Sequence, residues 1–481
     1  MNISDELTAT GFLKKLVGFS MATWMSAMIS FLITPVFTRV YLPEEVGHIN
    51  LFTTYVTFFQ TICLLALDQA FMRFYNETLN GLHKGNFLSY CLRINLGLII
   101  PTVIIILGGY RFFSCQISGE ENLLVPICLS SVVVCGTFLK MSNISSRMEK
   151  NIVQYTLQVV STVTVEKILI TFIAFWRPDH KTAIVTMTMG YVIVSSIFYL
   201  VKKNGLQSAK DIPAKTKYTI LKFAIPYMPV LLLSWLGNSI PLLVLRKYVG
   251  YSSIGIYTNA VTMANVLHII QTGFSVYWEP FVYEHYKDRT NKEKIQKIEK
   301  TMVFILNFAA VSIVICQDVI FLLVGKQFQS SKLFFPFLML TPICNTIADM
   351  TGIGIKLSGK SYLNIIPFIG GVLCNLGLSY FLVPQIGLIG AGVAVGTSAL
   401  LILIVRSRLG RNHYKVSENE WFIVLALVLM VSTCIINIVL NGSWLKYILQ
   451  IGVLGILSLA FKKEIIYLLK LAKRILKVRD K

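Results

Sequence analysis

Long apolar runs separated by short polar turns fill the chain from end to end. A transmembrane α-helix needs about 20 mostly apolar residues, and lipid offers backbone groups no outside partners, so each run is predicted to be helical. The turns leave no room for a soluble domain. The pattern predicts an all-α integral membrane protein with about fourteen transmembrane helices, at residues 16–38, 47–71, 89–109, 122–140, 153–176, 182–201, 220–245, 253–284, 301–325, 333–355, 361–383, 387–405, 420–440 and 444–461.

Composition and charge agree with this pattern. Hydrophobic residues make up 55% of the 481 residues and charged residues 14%, against about 25% charged residues in soluble domains. A net charge of +21 invites a nucleic-acid interpretation, but the distribution argues against it. With the N-terminus inside, we assign 34 of the 44 Lys and Arg residues to inner segments, 9 to outer loops and Lys167 alone to a span. This positive-inside bias predicts that both termini are cytoplasmic.

Sequence motifs typical of enzymes or metal sites occur in this chain only in short turns or as scattered residues. Residues 354–361, GIKLSGKS, match the phosphate-loop pattern, but they form the short inner turn between the tenth and eleventh spans. The cysteines and histidines show no metal-ligand spacing. The neighbours Asp179 and His180 sit in a short outer turn, which is a weak basis for acid–base catalysis. We therefore expect no enzyme activity, no cofactor and no metal.

One motif occurs twice. The stretches TPVFTRVYLPEEVG and IPLLVLRKYVGYSSIG place Arg39 and Arg246 207 residues apart, and Gly47 and Gly255 208 apart. Each copy lies at the outer end of one span and leads into the next, six spans apart. Parallel repeats of six spans predict two lobes with a cavity between them, which rock to give alternating access. The alternative is a coincidence of ordinary interface anchors followed by a glycine turn.

The repeat and the charge pattern divide the chain into segments. The last stretch alternates apolar residues with Lys and Arg, as in a helix that lies on the inner leaflet. The predicted parts are an N-terminal lobe at 1–201, a cytoplasmic linker at 202–219, a C-terminal lobe at 220–405, an extra helix pair at 406–461 and an amphipathic tail at 462–481.

Several stretches resemble those of one family. They are the first repeat copy, LDQAFMRFY, IPYMPVLLLSWLGNSIPLLVLRKYVGYSSIGIYTNA, YWEPFVYEHY and NLGLSYFLVPQIGLIGAGVAVGTS. Their order and spacing resemble the bacterial oligosaccharide flippase (polysaccharide transporter, O-antigen flippase-like) family. That family belongs to the multidrug/oligosaccharidyl-lipid/polysaccharide exporter superfamily. The resemblance implies a fourteen-helix, two-lobed transporter in the bacterial cytoplasmic membrane.

The resemblance also implies a cargo. Members of such a family turn polyprenyl-pyrophosphate-linked oligosaccharides from the inner to the outer leaflet for surface polysaccharide biosynthesis. Membrane lipids are expected contacts, and a polysaccharide polymerase and a chain-length regulator are candidate partners. This chain departs from the pattern in two places. Asn238 stands where an acidic residue is common, and no basic residue lies between Lys15 and Arg39, which makes lipid II a less favoured cargo.

A pyrophosphate and its sugars need a polar, cationic path, and charged residues within spans are functional candidates because they are costly there. Lys167, beside Glu166 in the fifth span, either pairs with pyrophosphate or forms a local ion pair. The arginines either receive the headgroup or anchor the helix ends, and the tryptophan either stacks on sugar or fills the core. The candidate substrate-binding residues are Lys167, Arg73, Arg39, Arg246 and Trp278.

Coupling to a proton or sodium gradient would need a carboxylate whose surroundings change as the lobes rock. The candidates within spans are Asp68, Glu166, Glu279, Asp318 and Asp349. Structural ion pairing is the alternative role for each.

Two other functions stay open. A cation-coupled multidrug antiporter of the same superfamily usually has twelve spans and an acidic or apolar cavity. A membrane polysaccharide polymerase or ligase would need a large outer loop, which this chain lacks.

Overall fold

The computed structural model describes residues 9–75, 84–202, 212–286, 289–358, 360–418 and 420–479. All regular elements within these ranges are helical, which confirms the predicted all-α class. By compactness the chain forms two units, Met1–Thr258 and Asn259–Lys481. The predicted division into lobes, linker, extra pair and tail stays a prediction.

The first unit contains ten helices among the described residues, the last of which continues into the second unit. Seven of them run for 20 residues or more. They are α1 (Ala9–Val40), α2 (Pro43–Leu64), α3 (Leu67–Phe74), α4 (Lys84–Gly108), α5 (Tyr110–Ser118), α6 (Leu124–Met148), α7 (Ile152–Ile173), α8 (His180–Lys202), α9 (Ala214–Tyr248) and α10 (Tyr251–Ala264).

The second unit contains nine further helices in its described part. A 3-10 turn at Lys326–Leu333 precedes the fourth of these, and the last is the basic helix predicted for the inner leaflet. They are α11 (Val266–His285), α12 (Arg289–Ile315), α13 (Gln317–Leu322), α14 (Phe335–Thr351), α15 (Ile353–Leu357), α16 (Ile365–Arg411), α17 (Trp421–Val439), α18 (Leu445–Ala460) and α19 (Lys462–Arg479).

Nine helices of the described residues are long and apolar enough to cross a membrane, and the number rises to 12 if each of three bent pairs is one span. To reach fourteen, the 50-residue stretch Tyr362–Arg411 must cross twice and the shorter apolar helix Leu445–Ala460 must cross once. Gly387 provides the necessary break, because its φ of 55° and ψ of −128° are not helical and suit only glycine. The count of fourteen stays a prediction.

A sharp bend separates α2 from α3, where the sequence predicts one continuous span at 47–71. Leu65 and Ala66 take left-handed backbone angles, with φ of 48° and 55°, which cost about 1–2 kcal/mol per residue in non-glycine residues. Ala66 and the next residue, Leu67, are fully buried, so packing offsets this cost. The axes of the two helices differ by 52°. The bend sets the direction in which α3 presents Asp68.

Packing at the end of the first unit holds α3 in place. The ring of Phe71 lies 4.8 Å from that of Phe87 on α4, and Tyr75, Cys91 and Ile220 join the same buried cluster. The cluster therefore ties α3 to α4 and to the start of α9.

In the second unit α14 packs along α16. A Cβ on Gly392 would lie 2.9 Å from the Cβ of Phe334, and one on Gly396 would lie 3.0 Å from the carbonyl oxygen of Phe337. The absence of side chains at these glycines therefore lets the two helices approach closely. The helix pair α17 and α18 packs against α12.

Candidate transport site

A polar cavity of about 330 Å³ lies inside the first unit. Helices α2, α6, α7 and α8 form its walls, and the first turn of α3 closes it. Its polar lining includes Gln60, Asp68, Lys140, Asn143, Gln158, Glu166 and Tyr191.

Helical periodicity brings these side chains onto one surface. On α6, Gly136, Lys140 and Asn143 follow the spacing of four and three residues that keeps side chains on one helix face. The missing side chain at Gly136 makes room for the amide of Gln60, whose Nε2 would lie 2.0 Å from a Cβ there. On α7, Gln158 and Glu166 are eight residues apart, about two helical turns.

A π-helical segment at Thr164–Leu169, which contains Glu166, interrupts α7. Single π-turns inside α-helices are rare and recur at functional sites. The carboxylate of Glu166 accepts a hydrogen bond from the hydroxyl of Tyr191 on α8. The segment thus places an acidic group in the cavity and leaves it with a neutral partner.

The charges in the cavity are not balanced by close ion pairs. Asp68 Oδ2 accepts a hydrogen bond from Gln69 Nε2 at 2.8 Å, while its Oδ1 is buried and has no hydrogen-bond partner among the described residues. Lys140 forms no ion pair within the described part of the chain, and the acidic charges that act on it are Asp68 and Glu166. A buried polar atom without a partner is costly, so this cavity is suited to a proton or a small cation.

The two neighbours Glu166 and Lys167 have different surroundings. Glu166 lines the cavity, whereas Lys167 is not one of its lining residues. The ammonium of Lys167 lies 5.8 Å from the centre of the Phe37 ring on α1, within the range of a cation–π contact. Successive residues on a helix point about 100° apart, so adjacency in sequence could not tell which of the two faces the cavity.

Lys140 is the charged cavity residue that the sequence did not reveal. The count of basic residues assigned Lys140 and Arg93 to the inner segments, although the predicted spans 122–140 and 89–109 include them. The structure places both within helices long enough to span, so Lys167 is not the only basic residue there. Lys140 lies eight residues before the end of α6 at Met148, about 12 Å along the axis. The apolar residues on both sides of Lys140 were the sequence feature that could have placed it within a span.

At the other end of the first unit the two copies of the repeated motif meet. A Cβ on Gly47 would lie 2.0 Å from the carbonyl oxygen of Tyr251, and a Cβ on Gly255 would lie 2.0 Å from that of Pro43. One turn further, Asn50 Nδ2 donates to Thr258 Oγ1 at 2.9 Å. Each glycine therefore admits the backbone of the other copy. We call this crossing of α2 and α10 the glycine crossing.

Aromatic and charged groups surround the glycine crossing. The ring of Tyr251 lies between His48, with ring centres 3.7 Å apart, and the guanidinium of Arg246, 3.8 Å from the ring centre. Arg246 donates to the Tyr251 hydroxyl at 2.6 Å, and that hydroxyl donates to the carbonyl oxygen of Cys115 at 3.0 Å. His180 stacks on His48 at 4.2 Å and contacts Glu45 through Nδ1 at 2.7 Å.

The other two predicted arginines are exposed. Arg39 lies in the last turn of α1, and no ion pair or hydrogen bond joins its side chain to the described residues. Arg73 lies in the last turn of α3. The predicted symmetric pair therefore differs, because Arg246 is part of the glycine crossing and Arg39 is not.

The predicted site residues of the second unit either form ion pairs with other side chains or are buried in the core. Glu279 pairs with Lys356. Asp349 pairs with Arg406 at 2.8 Å. Trp278 is fully buried and stacks on Phe274 with ring centres 5.4 Å apart.

Asp318 lies after α12, at the start of α13, where it holds the C-terminal helix pair. It pairs with Lys332 at 2.8 Å and with Lys446, and it accepts a hydrogen bond from the Tyr447 hydroxyl. Of the five predicted acidic residues, Asp68 and Glu166 are thus the two that share a cavity and have no ion pair among the described residues.

The first 278 residues contain the region that assigns this chain to a known family. The model of the family described as polysaccharide biosynthesis protein matches residues 12–278, more than half of the chain. The chain belongs to this family. The family predicted from the quoted stretches is confirmed. The nine described helices that are long and apolar enough to cross a membrane indicate a multi-pass membrane protein.

One curated relative and two solved structures are similar to this chain. The capsular polysaccharide biosynthesis protein CapF of Staphylococcus aureus is 24% identical over 249 residues, which cover 49% of this chain and 62% of CapF, less than two thirds of that relative. The lipid II flippase MurJ in an inward closed conformation superimposes with a TM-score of 0.69 at 14% identity, over 93% of this chain and 99% of MurJ. An inward-facing multidrug resistance MATE family transporter gives 0.63 at 17% identity, over 80% and 94%. At these identities the structures establish a shared fold.

Proposed function

We propose that this family member is a flippase that moves polyprenyl-pyrophosphate-linked oligosaccharide from the inner to the outer leaflet by alternating access. The observation that carries the proposal is a polar cavity with three poorly paired charges, Asp68, Lys140 and Glu166, inside apolar helices of a polysaccharide biosynthesis family. Charges at such positions are costly to insert and mark transport or coupling pathways.

In this proposal the cavity couples transport to an ion gradient. Asp68 and Glu166 bind a proton or a small cation, and Lys140 competes with that cation for the same carboxylates. Binding and release change the charge inside the helices, so the free energy of the conformational states changes with occupancy. The coupling ion is thus used to bias the rocking equilibrium.

Arginines at helix ends provide contacts for the pyrophosphate. Arg73 and Arg39 are exposed at the ends of α3 and α1, and an arginine guanidinium binds phosphate oxygens through two parallel hydrogen bonds. We assign Arg73 to the inner leaflet and Arg39 to the outer leaflet. Arg246 acts in this scheme at the glycine crossing, Lys167 supports the packing of α7 against α1, and Trp278 is a core residue of the second unit.

The topology is part of the same proposal. Both termini lie in the cytoplasm of a bacterium, the protein crosses the cytoplasmic membrane fourteen times, and a polysaccharide polymerase and a chain-length regulator receive its product. The bias of basic residues toward the inner segments supports this orientation.

The test is a leaflet assay on the purified protein in liposomes. Polyprenyl-pyrophosphate oligosaccharide is placed in one leaflet, and its exposure in the other is followed with an impermeant sugar-binding probe. We expect wild-type flipping to fall about tenfold in Lys140→Ala, a loss of about 1.4 kcal/mol, and to change less in Lys167→Ala. Equal losses in both variants would contradict the assignment of the cavity lysine.

The second candidate function is a cation-coupled multidrug antiporter. The observation in its favour is the pair of carboxylates in the cavity, on a fold shared with a MATE family transporter. The same liposomes distinguish the two. Export of a cationic dye without exposure of the lipid-linked sugar would refute the flippase and support the antiporter.

A further inference from the structure

A second cavity, on the opposite side of α6 from the polar cavity, contains an arginine within a span. Its volume is about 390 Å³, and it lies between α4, α6 and α8. The residues that matter here are Arg93, Leu96, Ile99, Thr137, Phe138 and Tyr199. On α6, Thr137 and Phe138 face this cavity, while Gly136 and Lys140 face the other.

Two hydrogen-bond donors in this cavity have no acceptor. The guanidinium of Arg93 is exposed and makes no ion pair or hydrogen bond with the residues that the structure describes. The Tyr199 hydroxyl also has no hydrogen bond there, and its ring, 51% exposed, lies 5.9 Å from that of Phe138. An unpaired charge within a span is costly, so an anion from outside the chain is the expected partner.

Both donors lie in the half of their helix that the proposed topology places toward the inner leaflet. Arg93 lies nine residues after the start of α4 at Lys84, about 13 Å along the axis. Tyr199 lies three residues before the end of α8 at Lys202, about 5 Å. An arginine side chain extends its guanidinium toward the interface. The phosphates of the nearer leaflet therefore lie within reach, and that leaflet is the inner one in the proposed topology.

The remaining lining suits an acyl chain. Leu96 is 53% exposed, and Ile100, one turn further, is 62% exposed, so the apolar surface continues along α4 away from Arg93. A ligand with an anionic head at Arg93 and a hydrocarbon tail along Leu96 and Phe138 would satisfy both parts of the cavity. A glycerophospholipid of the surrounding bilayer has this chemistry and is always present at high local concentration.

We propose that the groove between α4, α6 and α8 is a binding site for an anionic glycerophospholipid of the inner leaflet, whose phosphate pairs with Arg93 and Tyr199. The acyl chain covers Leu96, Ile99 and Phe138. The site does not depend on the transported cargo. Because α6 carries Lys140 on its other face, the bound lipid supports the wall of the polar cavity.

The test is native mass spectrometry of the purified full-length protein titrated with phosphatidylglycerol. We expect retained lipid in the wild type and about tenfold weaker binding in Arg93→Gln, because one charge-assisted pair is lost. Arg147→Gln is the matched control, since Arg147 is also exposed near the inner end of α6 but lies outside the groove. Arg147→Gln should bind as the wild type does, and Arg93→Lys should keep most of the affinity.

Two further measurements keep the proposal falsifiable if Arg93→Gln folds poorly. Leu96→Trp fills the groove with the arginine intact and should also weaken binding, and wild type should prefer phosphatidylglycerol to diacylglycerol, which has no phosphate. Equal binding of the two lipids, or undiminished binding in Arg93→Gln, would overturn the site. Tighter binding of polyprenyl pyrophosphate than of phosphatidylglycerol, lost in Arg93→Gln, would also overturn it by assigning the groove to the cargo.

Discussion

The glycine crossing and the polar cavity of the first unit differ in how closely their helices pack and in whether their charged side chains have partners. At the glycine crossing, backbone meets backbone. The side chains of Tyr251 and Arg246 contact each other, and Glu45 accepts hydrogen bonds from the backbone and the ring of His180. In the cavity, a carboxylate oxygen of Asp68 has no partner in the described structure, and Lys140 has no ion pair there. One region is made of fixed contacts and the other has space for a ligand.

The two regions therefore have different roles: one sets the conformation and the other responds to a ligand. A crossing that depends on the absence of two Cβ atoms is either closed or separated, because main-chain atoms cannot move aside as a flexible side chain can. Unpaired charges change their free energy whenever a proton or cation enters. The glycine crossing is thus suited to define a closed state, and the cavity to control how often that state forms.

The largest effect is expected from Gly47→Ala. A Cβ at Gly47 would lie 2.0 Å from the Tyr251 carbonyl oxygen, so α2 and α10 must separate, at a cost of at least about 3 kcal/mol, the upper end for overpacking. The measurement is disulfide formation in the Asn50→Cys/Thr258→Cys protein, whose parent side chains are hydrogen bonded. We expect cross-linking to be lost.

Gly97→Ala is the matched control for this experiment. Gly97 also lies in an apolar helix, but a Cβ there would meet nothing within 4 Å. Replacing glycine by alanine in a helix normally stabilises by about 1 kcal/mol, so Gly97→Ala should keep the cross-link and raise the melting temperature. Full cross-linking in Gly47→Ala would show that the two helices do not meet as described.

The glycine crossing could be predicted from the sequence only in part. The repeated motif showed that Gly47 and Gly255 are equivalent positions of two parallel repeats, which an axis along the membrane normal relates. What the sequence does not contain is that each glycine packs on the other copy. Contact across 208 residues depends on the packing of the whole unit, and no local pattern encodes it.

The second effect concerns the cavity. Asp68→Asn keeps the shape of the side chain and removes its charge, so the ion that balances this charge is no longer bound. We expect ion-driven flipping to fall about tenfold, equivalent to 1.4 kcal/mol. The measurement is flipping in liposomes with and without an imposed gradient.

Glu121→Gln is the control for charge removal at the cavity. Its side chain is 59% exposed and pairs with Arg111 at 3.6 Å on the surface, where an ion pair contributes little. It should flip as the wild type does. If Asp68→Asn responds to the gradient like wild type, Asp68 is a structural residue and the coupling assignment is wrong.

The cavity itself was predicted only in part. Asp68 and Glu166 followed from the rule that charges within spans are functional candidates, whereas Lys140 was assigned to an inner loop because it is near the end of an apolar run. Span ends are the least certain feature of a hydropathy pattern. The sequence around Lys140 fits a position two turns inside a helix as well as a position in the next loop. The packing of α6 against α2 shows that Lys140 lies inside the helix.

A smaller effect is expected at the aromatic part of the glycine crossing. Tyr251→Phe removes the hydroxyl that accepts from Arg246 and donates to the Cys115 carbonyl but keeps the ring. We expect about 1 kcal/mol of destabilisation for the lost hydrogen bonds. In a two-state equilibrium this lowers the ratio of closed to separated crossing about fivefold, and the cross-link between positions 50 and 258 should form more slowly.

Tyr218→Phe provides the control for hydroxyl removal. Tyr218 is 65% exposed on α9 and contacts Lys222 through its ring, which the phenylalanine preserves. Its cross-linking should match the parent. An unchanged cross-link in Tyr251→Phe as well would mean that the two glycines alone hold the crossing, and that Arg246 contributes nothing to it.

The smallest effect belongs to Asp179, which caps α8 next to His180. Its Oδ1 accepts from the Thr182 backbone N–H at 2.7 Å, and its Oδ2 accepts from the Thr182 hydroxyl at 2.7 Å. Burial raises the pKa of this carboxyl, but the hydrogen bonds from Thr182 outweigh burial and leave the pKa below its usual value. Loss of such a cap in Asp179→Ala costs about 1 kcal/mol, and less here because the side chain is 39% exposed.

The sign of the pH dependence follows from the direction of that pKa. A folded-state pKa below the unfolded value of about 3.9 makes the charged carboxylate stabilising at all pH values above that range. The stabilisation is lost as the pH falls through the folded-state pKa. The difference in melting temperature between wild type and Asp179→Ala should therefore be constant from pH 6 to 8 and shrink below about pH 4, and Asp179→Asn, which keeps an acceptor for the backbone, should lose less. A difference that grows in acid would show that Asp179 acts through its protonated form and does not cap the helix.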